Sequence, residues 1–110
     1  MTDWDVDFGQ SQEGDTRVLA ATGEIDLSSA SRFAQELTAV VADGSGTARV
    51  DLSGVSFLDS SGVRELLAAN RLAESMGMQL QLVNPSAACR RVLEISGVWD
   101  EFMVQRTQTS

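Results

Sequence analysis

Two spacings alternate along the chain, one of period two and one of helical period. Residues 4–8 and 16–22 are apolar and β-compatible, and they flank a polar stretch, 9–15, in which Glu13-Gly14-Asp15 is a turn signal; the chain is predicted to open with a hairpin. After Gly23-Glu24-Ile25-Asp26-Leu27, residues Ala30, Phe33, Ala34, Leu37 and Val41 fall at i, i+3, i+4, i+7 and i+11, one stripe of a helix with Ser28 or Ser29 as its cap. Gly44-Ser45-Gly46 is expected to close that helix. Ala48, Val50 and Leu52 then alternate with Arg49 and Asp51 as a strand with two unlike faces. Val63, Leu66, Leu67, Ala73 and Met76 mark the inner side of a second helix, leaving Arg64, Glu65, Arg71 and Glu74 to water, with Gly77 as the stop. Residues 78–83 alternate again as a strand. Asn84-Pro85-Ser86 starts a third helix that runs through Val92 and Leu93 to Gly97. Over 98–104, Trp99, Phe102 and Met103 fit either a short helix or a final extended segment, and 105–110 is a polar, frayed tail.

Strand and helix in alternation is the pattern of crossover units, which place helices against parallel neighbouring strands. The opening hairpin makes the sheet mixed. The predicted fold is therefore α/β, one domain over 1–110 with a core of about 5–104: a small mixed β-sheet with an N-terminal hairpin and helices packed against it. A chain of 110 residues with 43% hydrophobic content suits one core and no more.

Charge and composition narrow the chemistry. Eight basic against sixteen acidic residues give a net charge of -8, which repels nucleic acid and anionic bilayers, so neither is expected as a partner. No apolar run approaches the roughly 18 to 20 residues that span a bilayer, and Met1-Thr2-Asp3-Trp4-Asp5 lacks the features of a signal peptide; the expected location is the cytoplasm. The single cysteine, Cys89, has no disulfide partner and no metal-ligand spacing and is expected to be a small buried apolar residue. With no histidine, a Ser-His-Asp or Cys-His site cannot be assembled, so no enzyme activity is expected. Gly44-Ser45-Gly46 is too short for a phosphate-binding loop and lacks its lysine, and the acids lack calcium-loop spacing, so no cofactor or metal is expected. Trp4 and Trp99 are expected to serve packing.

The richest segment is Val55-Ser56-Phe57-Leu58-Asp59-Ser60-Ser61-Gly62, followed by Val63-Arg64-Glu65-Leu66-Leu67. An apolar run delivers the backbone to an Asp-Ser-Ser-Gly turn where a helix exposes unpaired N–H groups. Asp59, Ser60 and Ser61 are three candidate caps where one suffices. Capping accounts for such residues by itself, and it is compatible with a second role, a hydroxyl that receives phosphate at the positive end of a helix.

Together with Gly23-Glu24-Ile25-Asp26 upstream and Asn84-Pro85-Ser86 downstream, this segment resembles the STAS family, and within it the anti-sigma factor antagonists of bacterial partner-switching systems. The resemblance covers about residues 6–102. It implies that Ser60, directly after the aspartate, is the phosphoacceptor. It also implies that the acidic loop and the turn, through Gly23, Glu24, Asp26, Asp59, Ser61, Gly62 and Arg64, bind the partner. The implied partners are an anti-sigma factor serine kinase, whose capture releases a sigma factor, and a metal-dependent serine phosphatase. Many antagonists continue Ser-Ser-Gly with Leu-Gly where this chain has Val63-Arg64, so Arg64 either alters partner choice or pairs with a phosphate on Ser60. The alternative is a STAS scaffold subunit of a larger signalling or lipid-transport complex, in which the serine only caps.

Overall fold

Polar residues of the first segment lie in a strand rather than in a loop. The computed structural model describes residues 6–42 and 46–105; Trp4, Gly44, Ser45 and the tail beyond residue 105 lie outside them. Strand β1 spans Val6–Glu13 and pairs antiparallel with β2, Thr16–Ile25, in a register that sets Glu13 opposite Thr16 across the expected Gly14-Asp15 turn. β1 is an edge strand, so Gly9, Gln10, Ser11 and Gln12 are exposed without breaking a core. Its inner side still touches the first helix: Phe8 stacks on Phe33 at 5.8 Å between ring centroids, and the Gln10 amide donates to Glu36 at 2.7 Å.

Three further strands, β3 (Thr47–Leu58), β4 (Gln79–Val83) and β5 (Met103–Gln105), complete a sheet of order β1-β2-β3-β4-β5 in which all pairs after the first are parallel. Helices α1 (Ala30–Val41), α2 (Ser60–Ser75) and α3 (Ala87–Ile95) are the connections, as parallel neighbours require. α1 and α2 lie against each other and against the central strands, while α3 packs on β3. The final segment contains both expected forms, a 3-10 turn at Trp99–Glu101 and then β5; Gln105, expected to begin the tail, is the last residue of β5.

The core follows the apolar stripes. Phe33, Leu37, Val40 and Val41 of α1, Leu66 and Ala73 of α2, and Leu19, Ile25, Val50, Leu52 and Leu82 of the sheet are all buried, as is Cys89. Met76 departs from the stripe and is 36% exposed near the end of α2, whereas Glu65, expected in water, is half-buried in the groove between α1 and α2. Ser29 occupies the cap position of α1 without bonding to its amides, because its hydroxyl is engaged in the preceding loop.

β3 is longer than the alternation of residues 48–52 predicts. After Leu52 the buried positions change from every second to every third residue, through Val55 to Leu58, and the pairing with β2 slips twice. Gly54 permits this, since a Cβ there would lie 2.5 Å from Thr22 Cγ2. The slip turns Phe57 outward, buries Leu58, and delivers the chain to Asp59 at the tip of the sheet.

Candidate functional site

A corner forms where β3 ends, α2 begins and the β2–α1 loop passes. Leu58 is the last buried residue of the strand, and Asp59 then takes an extended conformation as the cap of α2. Its backbone amide donates to Ile25 O at 3.2 Å, fastening the turn to the loop. Its carboxylate accepts from Ser61 N at 2.9 Å and Gly62 N at 3.4 Å, and also from the Ser61 hydroxyl. Gly62 is required by space: a Cβ there would lie 2.4 Å from Leu58 Cδ1 and 2.9 Å from Ile25 Cγ2.

The two serines therefore diverge. Ser61 is 7% exposed with its hydroxyl committed to Asp59, while Ser60 is exposed and its hydroxyl has no hydrogen bond among the described residues. Ser61 and Gly62 support the corner from inside; Ser60, Glu24 and Arg64 face outward. Two of the amides at the start of α2, read from the sequence as a seat for phosphate, already hold the Asp59 carboxylate.

The acidic loop shows the same division of labour. Gly23 is half-buried between its strand partners Val6 and Val55, and Glu24 projects to solvent. Asp26 turns back on its own loop, accepting from Ser28 N at 2.9 Å and from the Ser28 hydroxyl at 2.6 Å. The Ser28 hydroxyl bond, with smaller help from the Ser28 and Ser29 amides, holds the Asp26 carboxyl below its ordinary range against an opposing desolvation. Ser29 completes the loop: its hydroxyl accepts from Asp26 N at 3.0 Å and donates to Glu24 O at 3.1 Å.

Two apolar residues beside the corner escaped sequence reasoning. Leu27 is 79% exposed directly after Asp26, and Phe57, opposite Glu24 in the strand pairing, is 46% exposed. Phe57 borders a groove of about 320 Å³ lined also by Leu58, Ala87, Ala88, Arg91 and Val92. The available signal was a leucine placed in an otherwise polar loop. α3 forms the far wall and is fixed by Ser86, whose hydroxyl accepts from Cys89 N at 3.2 Å as its cap and donates to Val55 O at 2.6 Å. Burial pushes the Cys89 thiol above its ordinary range, so it stays protonated and inert. Among the described residues there is no group of three or more His, Cys, Asp or Glu side chains able to hold a metal, and no helix long and apolar enough to cross a membrane.

The family described as Mlab, STAS domain, matches residues 8–105. An anti-sigma F factor antagonist of Lysinibacillus sphaericus is 33% identical over 85 residues, 76% of this chain and 73% of that one. A crystal structure of an anti-sigma factor antagonist from Mycobacterium paratuberculosis superposes with a TM-score of 0.79 at 28% identity, covering 94% of this chain and 87% of that one. The Bacillus cell fate determinant SpoIIAA in its phosphorylated form superposes with a TM-score of 0.71 at 25% identity, covering 93% and 92%.

Proposed function

The chain belongs to the STAS domain family, and from that premise we propose that it is an anti-sigma factor antagonist switched by phosphorylation of Ser60. Unmodified, it docks on an anti-sigma factor serine kinase through the corner and frees a sigma factor for RNA polymerase in the cytoplasm. The kinase silences it in turn, and a metal-dependent serine phosphatase resets it. It works as a binding module, with Ser60 as a substrate of another protein's chemistry.

The observation that carries this reading is the contrast between the two adjacent hydroxyls. Ser60 is open to a kinase, whereas Ser61 is buried and bonded to Asp59. The relatives' names support the antagonist role, and a solved relative carries phosphate on the same fold. Around Ser60, the exposed Leu27 and Phe57 offer apolar contact and Glu24 offers charge, the mixture from which the centre and rim of a protein interface are made. A phosphate adds about -1.5 to -2 charge at pH 7 to a corner already carrying Asp59 and Glu24. Repulsion and desolvation then oppose docking, and a loss of about 3 kcal/mol lowers affinity more than a hundredfold without refolding.

Incubation with candidate anti-sigma kinases and ATP, followed by mapping of the modified residue by mass spectrometry, tests the assignment. Phosphate is expected on Ser60 and absent from the Ser60→Ala protein. Modification confined to Ser61, or none with any cognate kinase, contradicts it. An unmodified protein that assembles constitutively into a larger complex, with Ser60→Ala binding as wild type, supports the scaffold alternative.

A further inference from the structure

We propose that Arg64 is the built-in counter-ion of phosphorylated Ser60, a residue that determines how this particular chain holds its modified state. The inference rests on the phosphorylation reading above and deepens it. At the start of a helix an anion is ordinarily met by free backbone amides, but here the Asp59 carboxylate accepts from Ser61 N at 2.9 Å and Gly62 N at 3.4 Å. A phosphate on Ser60 enters a corner where two of the amide donors are already held by another anion, which lies beside it and repels it. With those two amides engaged, a cationic side chain is the effective source of neutralising charge.

Arg64 is placed to supply it. It stands four residues after Ser60 on α2, the spacing that brings two side chains onto the same helix face with Cβ atoms about 5–6 Å apart. Both residues are exposed. The other helical neighbours of Arg64 three and four residues away are Ser61, Leu67 and Ala68, none of them acidic, and among the described residues Arg64 has no ion-pair partner. Arg90 shows the contrasting case on α3, where Glu94 follows at the same spacing and its carboxylate accepts from Arg90 Nε at 2.9 Å. Arg64 thus has a vacant position for an acid one turn before it, and phosphorylation of Ser60 fills that position. Guanidinium and phosphate match in geometry, allowing two parallel charge-assisted hydrogen bonds.

The consequence is a switch with two moving contacts. In the unmodified protein the guanidinium is free to reach a carboxylate of the partner beside the corner; in the modified protein it folds back onto the phosphate. Release then combines the added negative charge with withdrawal of a cation from the docking surface.

The test uses full-length protein with phosphoserine installed at position 60 by genetic encoding, so that no kinase is needed. A phosphorus NMR titration reads the second ionisation of the phosphate. Because Arg64 favours the dianion, the wild-type midpoint is expected to lie below that of Arg64→Gln by about half a pH unit. Arg64→Lys should recover part of the difference, and Arg71→Gln, on the same helix and remote from the turn, should match wild type. Equal midpoints in wild type and Arg64→Gln overturn the pairing, as does an equal shift in Arg71→Gln, which would mark general electrostatics. Failure of every kinase to modify Ser60 would overturn the phosphorylation reading and leave this titration result standing.

Discussion

The backbone amide of Asp59 donates to the carbonyl of Ile25 across 3.2 Å, joining the start of α2 to the end of β2. That bond ties together two segments 34 positions apart, and Gly62 sits beneath it against Ile25 and Leu58. The acidic loop and the serine turn therefore form one rigid surface, because neither can shift without disturbing buried side chains. A modification at Ser60 is presented on the same surface as Glu24 and Leu27.

Adding a methyl group at Gly62 tests the rigidity of that joint. Gly62→Ala places its Cβ inside the contact distances of Leu58 and Ile25, both buried, and is expected to destabilise the fold by about 1–3 kcal/mol in denaturant unfolding. Unchanged stability would show that the corner yields easily.

The cap predicts a graded pair of variants. Asp59→Ala removes the acceptor of two amides and of the Ser61 hydroxyl, and should cost about 1 kcal/mol. Asp59→Asn keeps an acceptor oxygen and should cost less. Equal losses in the two would assign the effect to charge rather than to hydrogen bonding.

Asp26 predicts a pH dependence of defined sign. Its folded-state carboxyl titrates below the ordinary aspartate value of 3.8, chiefly because of the Ser28 hydroxyl bond. The ionised form is the stabilising one, so the contribution is complete above 3.8 and disappears as pH falls through the lowered value. Thermal melts of wild type and Asp26→Asn should differ at neutral pH, and the gap should close in acid below 3.8. A gap that does not narrow as pH falls progressively below 3.8 would refute this.

Much of this organisation was legible in the hydrophobic pattern, where one periodicity dominated. The stripe through Ala30, Phe33, Leu37 and Val41 is buried, and Ser86 starts α3 as Asn84-Pro85-Ser86 implies. Residues 9–13 read as loop because they are polar, yet an edge strand needs no apolar outer face. The extension of β3 to Leu58 was hidden by the change of period at Ser53 and Gly54, which depends on how Thr22 packs from the neighbouring strand. Which of two adjacent serines faces outward was not legible either, since it turns on where the Asp59 carboxylate points. The exposure of Phe57 follows from the same register slip.

Apolar contacts at the corner should matter to binding and little to folding. Leu27 is 79% exposed, so Leu27→Ala is expected to change stability by less than about 0.5 kcal/mol. The double variant Leu27→Ala and Phe57→Ala should weaken capture of the anti-sigma factor at least about tenfold in a binding titration. Wild-type affinity would place the docking surface elsewhere.

The central claim, that phosphate on Ser60 ends docking, is tested most directly by calorimetric titration of one anti-sigma kinase with unmodified protein and with protein carrying phosphoserine at position 60. The expected result is an affinity at least about a hundredfold weaker for the modified form, corresponding to about 3 kcal/mol, at equal thermal stability. Equal affinities for the two forms would contradict the account.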